Sequence, residues 1–285
     1  MHDLTIFIKT YKKDFISFEK LINSIKLYNI ENIPVLISVN DKDYNFFKRH
    51  IALEEYVLVK DSDIFMTTIK DGWRYQQIIK MNFFRLNFAK FYLSVDSDSV
   101  FIKNFVKNDF FVNGKPILIK HKSEAYVKEI STLGFRVEDL FFIKSLKAVK
   151  EIFNSPDDQI FDYGPSPYFW ESAVWESFFN NYLKDTTVES LFMNLDTIYL
   201  PSENAIYGEY VTMSGNFEYE PSEELFKVFH FKEQYNLEPN TDIIHLTEKY
   251  KNDYLGIIIQ SNFNKINPIY SYLYTFNKIF NKVKC

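Results

Sequence analysis

Two aspartates, Asp96 and Asp98, directly follow the apolar run Phe91–Val95. Carboxylate oxygens are the ligands that Mg²⁺ and Mn²⁺ prefer, and such cations assist the displacement of diphosphates. In an extended segment, residues i and i+2 point the same way. We therefore expect Asp96 and Asp98 to hold one divalent metal ion at the end of a strand. The alternative interpretation of Asp96 is a turn residue or a helix cap.

The Asp-x-Asp pattern is weak evidence by itself, because Asp61-Ser62-Asp63 repeats it after another strand-like run. The later triplet is favoured because a second apolar run, Val100–Ile102, follows it immediately. The earlier aspartates are equally explained as turn caps. A calcium EF-hand is excluded. Counting Asp96 as the first loop position puts Phe101 where glycine is required and Lys107 where the bidentate glutamate belongs.

The first half of the chain alternates strand-like and helix-like segments, which favours a mainly parallel sheet covered by helices. In such sheets the ligand crevice lies beyond the carboxyl ends of the strands. The polar residues that end three of the strands should meet there; they are Lys9-Thr10, Asn40-Asp41 and Asp96-Ser97-Asp98. The predicted strands are Leu4–Ile8, Pro34–Val39, Tyr56–Val59, Phe91–Val95 and Val100–Ile102. The predicted helices follow Asp14, span Tyr44–His50 and run from Trp73 to Ala89.

The second half has a looser pattern, broken most clearly at Asp162–Pro167. Its predicted strands are Pro116–Lys120, Val228–Phe231 and Leu255–Gln260. Its predicted helices are Phe141–Phe153, Tyr168–Leu183 and Thr241–Asn252. We see no repeat or linker, so we expect a single domain over residues 1–268, followed by a basic amphipathic helix over residues 269–285.

Composition excludes several classes of protein. A net charge of −5 over 285 residues gives no electrostatic footprint for nucleic acid. The single cysteine, Cys285, excludes an internal disulfide framework and a Cys-based zinc site. We find no secretory signal and no apolar run of the ~20 residues that a membrane-spanning helix needs. We therefore expect a cytoplasmic protein, either free or peripheral to the inner face of the membrane through its C-terminal helix.

Three motifs carry a resemblance to a known class. Residues Tyr92–Phe101 resemble the Asp-x-Asp strand of GT-A glycosyltransferases. Residues Gly72–Lys80 resemble the Gly-Trp-x-x-Gln-Gln-x-x-Lys segment of a bacterial GT-A-like family of unknown function, and Ser202–Gly208 resemble its Ser-Glu-x-x-x-Tyr-Gly motif. The three motifs occur in the same order, and the likeness extends from Leu4 to Tyr210.

The resemblance implies a GT-A-like α/β fold, a nucleotide-sugar donor, a divalent metal ion (Mn²⁺ or Mg²⁺) and a glycan or lipid-linked acceptor of polysaccharide biosynthesis. The helix that bears Gln77 and Lys80 would border the donor site, where a lysine offers a cation to the leaving diphosphate. A solvated helix face is the alternative. The predicted donor-binding residues are Lys9, Thr10, Asn40, Asp41, Gln77, Lys80 and Asp96.

A glycosyltransferase also needs a carboxylate near the anomeric carbon, either to deprotonate the acceptor or to stabilise an oxocarbenium-like centre. Glu203 ranks first because it lies inside a family-like motif and in a predicted polar loop. Glu171 ranks second, near a predicted helix start where a carboxylate also interacts favourably with the helix dipole. Glu176 and Glu209 are further candidates.

A late histidine often completes the metal shell of GT-A enzymes. His230, in the strand-like Val228–Phe231, is the preferred third ligand, and His245 is the other option. A histidine in an apolar stretch is also commonly structural. His121, after the strand Pro116–Lys120, is a candidate for contact with phosphate or acceptor.

Two other classes stay open. A nucleotidyl or phosphosugar transferase would also need paired carboxylates and a cation, although the chain has neither a Walker loop nor a GxGxxG motif. A non-catalytic glycan- or membrane-surface-binding protein would use the aromatic residues and the basic tail. A GT-B enzyme is disfavoured because it needs two Rossmann-like halves.

Overall fold

Strands and helices alternate along the chain in a computed structural model, which describes residues 1–132, 136, 140–155, 159–184, 187–193, 201–230 and 232–259. Its strands are β1 (His2–Thr10), β2 (Val35–Val39), β3 (Val57–Lys60), β4 (Ala89–Val95), β5 (Ser99–Phe101), β6 (Phe111–Val112), β7 (Lys115–Ile119), β8 (Tyr168–Glu171), β9 (Glu220–Ser222), β10 (Phe226–Phe229) and β11 (Gly256–Ile259). Its helices are α1 (Phe15–Tyr28), α2 (Tyr44–His50), α3 (Asp61–Ile64), α4 (Gly72–Met81), α5 (Glu124–Thr132), α6 (Phe141–Phe153), α7 (Ser172–Ser177), α8 (Val188–Met193), α9 (Glu203–Ser214), α10 (Lys232–Asn236) and α11 (Ile243–Tyr250).

A five-stranded sheet in the order β3-β2-β1-β4-β8 forms the centre of the fold. The first four strands are parallel, and β8 joins β4 antiparallel. Two three-stranded sheets, β10-β11-β5 and β6-β7-β9, complete the described sheets. The predicted fold class, a mainly parallel mixed sheet flanked by helices, is confirmed.

The two faces of the large sheet carry separate hydrophobic cores because side chains alternate along each strand. Ile6 and Ile8 of β1 pack on one face, in the core that also holds α1 and α2. Phe7 and Tyr92 lie on the other face, in the core that holds α4, α6, α7 and α9. Each of these side chains is fully buried and so contributes about 1.5–3 kcal/mol of burial free energy. The side chains of the candidate site lie on the α4 face, near the carboxyl ends of the strands.

The Asp96–Ser99 segment is a turn, which corrects the extended geometry expected for the Asp-x-Asp triplet. The Ser99 N–H donates to the Asp96 carbonyl at 3.1 Å. The chain here leaves β4 in the large sheet and enters β5, which pairs antiparallel with β11. The i, i+2 rule for strands therefore does not make the two aspartate side chains parallel.

Two predicted helices were placed wrongly. The helix predicted from Trp73 to Ala89 ends at Met81, where the Asn82 side chain donates back to the Ile78 carbonyl at 2.8 Å. The segment predicted as a helix from Tyr168 begins instead as strand β8, because its first four residues pair with β4; helix α7 starts only at Ser172.

Smaller differences concern the ends of elements. The cap of α11 is Asp242 rather than Thr241, since its side chain accepts from the Ile244 N–H at 2.8 Å. Asp14 precedes α1 without a capping side-chain hydrogen bond. The predicted helix over residues 269–285 lies outside the described residues, and the domain boundary at residue 268 stays a prediction. Within the described ranges, no helix combines the length and the apolar composition needed to cross a bilayer.

Candidate active site

The centre of the candidate site is the ammonium group of Lys80. Its Nζ lies 2.6 Å from Asp96 Oδ1 and 3.2 Å from Glu203 Oε1. Lys80 is 2% exposed, and its Nζ also lies 5.6 Å from the centre of the Tyr168 ring. Burial disfavours the charged lysine, but Asp96 and Glu203 together outweigh it and raise the pKa of Lys80 above its usual value. A buried cation therefore lies at the carboxyl end of β4.

The meeting of Lys80 with Asp96 follows from local geometry. Tyr92 and Ser94 point from β4 toward α4, and Asp96 continues this alternation at the end of the strand. Lys80 occupies the last turn of α4, on the side that packs against the sheet. The Asp96 N–H donates to Ser166 Oγ at 2.9 Å, which fixes the backbone at this point.

Glu203 is the first residue of α9 rather than part of a loop, which corrects the predicted polar loop. Its backbone N–H donates to Gln77 Oε1 at 3.1 Å, so Gln77 and Lys80 of α4 both contact it. Burial raises the pKa of Glu203; Lys80 opposes this shift, whereas Asp96 adds to it. Gln77 is fully buried, and its Nε2 has no hydrogen-bond partner among the described residues.

A second buried ion pair lies beside the first. Lys9 Nζ is 3.1 Å from Asp61 Oδ2, and it also donates to the Thr10 carbonyl at 2.8 Å. Asp61 accepts from Ser38 Oγ at 2.5 Å. Burial raises the pKa of Asp61 and lowers the pKa of Lys9, each opposed by the partner's charge. Two lysines and three carboxylates thus lie close together: Lys9, Asp61 and Asp96 at neighbouring strand ends, Lys80 on α4 and Glu203 on α9.

The remaining predicted donor-binding residues lie at the same sheet edge. Thr10 is buried at the end of β1, and no described residue hydrogen-bonds to its hydroxyl. Asn40 directly follows β2 and is half-buried. Asp41 is exposed and accepts from the Ser62 hydroxyl at 2.6 Å. The strand order β2-β1-β4 therefore brings the three polar strand ends together.

Asp98 and His230 flank strands of the neighbouring small sheet, since Asp98 precedes β5 and His230 follows β10. The Ile259 N–H of β11 donates to the Asp98 carbonyl at 3.3 Å, and Ile259 pairs with Phe229 of β10. Strand β11 therefore lies between Asp98 and the strand that His230 follows. The His230 ring packs on Tyr126 with 4.3 Å between centroids. Burial, followed by the charge of Lys227, lowers the pKa of His230 to about 3.

The described residues contain no group of three or more His, Cys, Asp or Glu side chains arranged to hold a metal ion. The chemistry of the predicted set nevertheless suits Mn²⁺ or Mg²⁺. Asp96 and Asp98 offer carboxylate oxygens, and the lowered pKa keeps His230 neutral near pH 7, the form that coordinates metals. The Asp96–Asp98–His230 metal site stays a prediction.

The structure does not bring Glu171 to this cluster. Glu171 pairs with Phe91 across the β4–β8 ladder, and the strand rises about 16 Å from Phe91 to Asp96. It is half-buried, and burial raises its pKa, opposed by Lys90. Tyr168, at the other end of β8, is the residue of that strand that reaches Lys80.

The other candidates divide between structural and exposed positions. Glu209 is buried between Lys150 Nζ at 3.3 Å and the Tyr163 hydroxyl at 2.6 Å. Glu176 and His245 are exposed on α7 and α11. His121 is buried beside Asp162, close to the segment that carries Ser166.

Sequence reasoning missed Asp61, Ser166 and Tyr168. Asp61 follows β3 directly, as Asp96 follows β4, so the end-of-strand signal was present but was interpreted as a turn cap. Ser166 and Tyr168 belong to the breaker cluster and to a strand predicted as helix, and no signal in the sequence connects them to Asp96.

The order and direction of the strands, with helices on both faces of the large sheet, form the mixed α/β fold of GT-A-like glycosyltransferases. The bifunctional glycosyltransferase WbbM superposes with a TM-score of 0.51 at 11% identity, over 91% of this chain and 46% of that chain. This chain thus spans less than half of WbbM. Mouse xyloside xylosyltransferase 1 gives a TM-score of 0.49 at 9% identity, over 91% of this chain and 98% of that one.

Residues 4–252 match a family of unknown function, DUF6492, and the chain belongs to that family. Comparison with curated proteins gives no match.

Proposed function

We propose that this chain is a metal-dependent glycosyltransferase that moves a sugar from a nucleotide-diphosphate donor to a surface glycan or glycolipid acceptor. The observation that carries the proposal is the buried Lys80 ammonium, 2.6 Å from Asp96 and 3.2 Å from Glu203. It lies at the carboxyl edge of an open α/β sheet, where such folds bind ligands.

In the proposal, the strand ends that carry Lys9, Thr10, Asn40 and Asp41 bind the nucleotide, and Gln77 and Lys80 face its diphosphate. A desolvated ammonium stabilises negative charge that develops on a leaving group, and it does so without reorganisation at the moment of reaction. Donor phosphate and the two carboxylates would compete for Lys80, so donor binding is coupled to the protonation and position of Asp96 and Glu203.

Asp96, Asp98 and His230 would hold the metal ion, whose bound charge neutralises the diphosphate leaving group. Glu203 is the catalytic carboxylate of choice, because Lys80 connects it to Asp96 and burial raises its pKa toward the range useful for acid–base work. Glu171 could act as the catalytic carboxylate only if the acceptor extended to the end of β8 that is farther from Lys80.

A thermal-shift panel of nucleoside diphosphates and nucleotide sugars, with and without Mn²⁺, tests the proposal. One nucleotide at 100 times its dissociation constant should stabilise the protein by about 2.7 kcal/mol. We expect this stabilisation to require metal, to be lost in Asp98→Ala and to survive in Asp63→Ala. The latter alters the other Asp-x-Asp triplet, where Asp63 accepts from the Lys60 N–H.

The products separate the enzyme classes. A glycosyltransferase releases a nucleoside diphosphate from the donor, whereas a nucleotidyl transferase cleaves within the diphosphate or forms it from a nucleoside triphosphate. A protein that no nucleotide stabilises under any metal condition would contradict the transferase proposal and favour a glycan- or membrane-surface-binding protein.

A further inference from the structure

A second buried polar cluster lies just beyond the end of β7. His121 and Asp162 form an isolated antiparallel bridge, with N–H···O distances of 3.1 and 2.7 Å. Ser123 Oγ donates to Asp162 Oδ2 at 2.7 Å, and the Gly164 N–H donates to Asp162 Oδ1 at 2.9 Å. Both Asp162 oxygens are thus occupied, which holds this pair of segments rigidly together.

Hydrogen bonding determines which nitrogen of His121 carries the proton. Its Nδ1 accepts from the Ser123 backbone N–H at 3.2 Å, so the neutral ring is protonated on Nε2. Glu223 Oε2 also lies 3.2 Å from Nδ1, but that side chain is 84% exposed and water can solvate it, whereas the buried amide has no such freedom. If His121 becomes charged, Nε2 still carries a proton. His121 Nε2 is therefore a donor, and it is buried without a hydrogen-bond partner among the described residues.

Asn204, next to Glu203, presents the complementary group. Its Nδ2 donates to the Gly164 carbonyl, which assigns the orientation of the amide. Its Oδ1 is then an acceptor, and it too is buried with no partner in the described part of the chain. Leaving a buried polar group unpaired is costly, so a ligand group or a water molecule that pairs with these two atoms is favoured.

The segment from Asp162 to Ser166 connects this cluster to the candidate active site. It contacts Ser123 through Asp162, Asn204 through Gly164 and the Asp96 N–H through Ser166. Four fully extended residues span at most about 14 Å. His121 and Asn204 consequently lie within the length of one or two sugar rings of the Lys80 cluster.

The surroundings indicate a neutral ligand. Asp162 is buried beside His121, and Glu223 Oε2 lies 3.2 Å from His121 Nδ1. These carboxylates would repel a phosphate group. A sugar hydroxyl carries no charge, and it can accept from one neighbour while donating to another.

We propose that His121 Nε2 and Asn204 Oδ1 form a hydroxyl-binding subsite for a sugar ring, with Ser123 and Asp162 as positioning residues. The subsite rests on the proposed transferase function, and it holds either the transferred sugar of the donor or the acceptor sugar. Nε2–H donates to one hydroxyl oxygen, and Asn204 Oδ1 accepts from a hydroxyl proton.

The test uses the full chain and the variants His121→Phe and Asn204→Ala. His50→Phe is the matched control, because His50 is exposed on α2, where its ring contacts Phe46 and Phe15. Saturation-transfer NMR with the methyl glycosides of glucose, galactose, mannose and N-acetylglucosamine probes sugar binding without nucleotide. Calorimetry compares UDP with UDP-sugars and GDP with GDP-sugars. Circular dichroism and melting temperature establish that each variant is folded.

If the subsite holds the donor sugar, both variants should bind the nucleotide sugar about tenfold more weakly than wild type, with unchanged affinity for the nucleoside diphosphate. If it holds the acceptor, nucleotide-sugar affinity is unchanged and the glycoside signals are lost. His50→Phe should match wild type throughout. The proposal is overturned if both variants bind glycosides and nucleotide sugars as wild type does. It is also overturned if wild type binds no glycoside and binds nucleotide sugars no more tightly than nucleoside diphosphates.

Two results separate this proposal from the transferase proposal. Glycoside binding without any nucleotide binding would refute the transferase and leave the sugar subsite standing. Nucleotide binding that is no tighter for nucleotide sugars than for nucleoside diphosphates, with no glycoside binding, would refute the subsite alone. Long-range ¹⁵N–¹H correlation NMR of wild type gives an independent measurement. A His121 ring protonated only on Nδ1 would overturn the assignment of Nε2 as the donor, whatever the folding of the variants.

Discussion

Lys80 shows how a single buried charge can organise a site. Its ammonium separates two carboxylates that would otherwise repel each other at close range, and it is itself almost inaccessible to water. Removing one partner of a buried ion pair leaves an uncompensated charge, which costs more than the pair contributes. The arrangement is thus sensitive to any change at Lys80, and a diphosphate that drew Lys80 away would release Asp96.

We expect Lys80→Met to lower the free energy of unfolding by about 3–5 kcal/mol, because Asp96 and Glu203 then lose their shared cation. The double variant Lys80→Met/Glu203→Gln should recover part of this loss. Urea denaturation at pH 7 measures both. Lys26→Met, in the exposed pair with Glu55, should cost less than about 1 kcal/mol. Equal losses in the two lysine variants would contradict the picture of a buried charge network.

Glu224 gives a pH-dependent prediction. Burial, with smaller contributions from Asp162 and Glu223, raises its pKa to about 7, opposed by Lys227 and a hydrogen bond with Tyr254. The folded state therefore keeps a proton that the unfolded state loses above pH 4.5, and stability declines as pH rises from about 4.5 to 7.

Glu224→Gln removes this titration. Relative to wild type, its free energy of unfolding should rise between pH 5 and pH 8 by on the order of 1–2 kcal/mol, allowing for partial solvent contact. Denaturation at the two pH values measures the difference. Glu223→Gln, at an 84% exposed position, should show almost no such change, and a similar gain there would refute the assignment to Glu224.

Helix α9 is the element that connects the two polar clusters. Glu203 and Asn204 begin it, and Gly208 lies against the segment that carries Asp162 and Gly164. A Cβ added to Gly208 would stand 2.0 Å from the Tyr163 ring. The Tyr163 hydroxyl is itself held by Glu209 of the same helix. Glycine at this place lets α9 approach closely enough for Asn204 to reach the Gly164 carbonyl.

We predict that Gly208→Ala destabilises the protein by about 1–3 kcal/mol. The clash with Tyr163 should outweigh the gain of up to about 1 kcal/mol that alanine brings to a helix. Thermal and urea denaturation measure the sign. Gly72→Ala is the matched control, since a Cβ at Gly72 meets no described atom within 4 Å apart from its chain neighbours and its own helix backbone, and it should be neutral or slightly stabilising. Stabilisation by both substitutions would contradict the close packing of α9.

At the scale of the whole molecule, two sheets meet at one turn. The chain crosses from β4 to β5 through Asp96–Ser99, so the α4 face of the large sheet and the edge of β5-β11-β10 both border the Asp-x-Asp triplet. This junction explains how Asp96 contacts Lys80 while Asp98 lies nearer to the strand that precedes His230.

The basic C-terminal tail leads to a prediction for the whole protein. After Asn264 the chain carries Lys265, Lys278, Lys282 and Lys284 and no acidic residue. We expect a chain without residues 269–285 to lose binding to vesicles that contain anionic lipids, and we expect salt to weaken binding of the full chain. Vesicle co-sedimentation measures both. Binding that the deletion leaves unchanged would remove the membrane role of this segment.

The sequence predicted those features that depend on short-range pattern. Alternating apolar runs located the parallel strands, the Gly72–Lys80 motif placed Gln77 and Lys80 within one turn of a helix, and Asp96 was recognised because it ends a strand. Asp61 carried the same end-of-strand signal and was undervalued, because nothing local distinguishes a turn cap from a buried partner of Lys9.

Only the tertiary structure decided which of these residues meet. Lys80 and Glu203 are 123 positions apart, and their contact depends on how α4 and α9 pack over one face of the sheet. The antiparallel pairing of β8 put Tyr168 beside Lys80 and Glu171 at the opposite end of the strand. The sequence by itself determined the types of residue and the ends of the strands, because periodicity and strand termination are local properties. Strand order, register and helix packing are set by long-range burial, and they alone brought Lys80, Asp96 and Glu203 together.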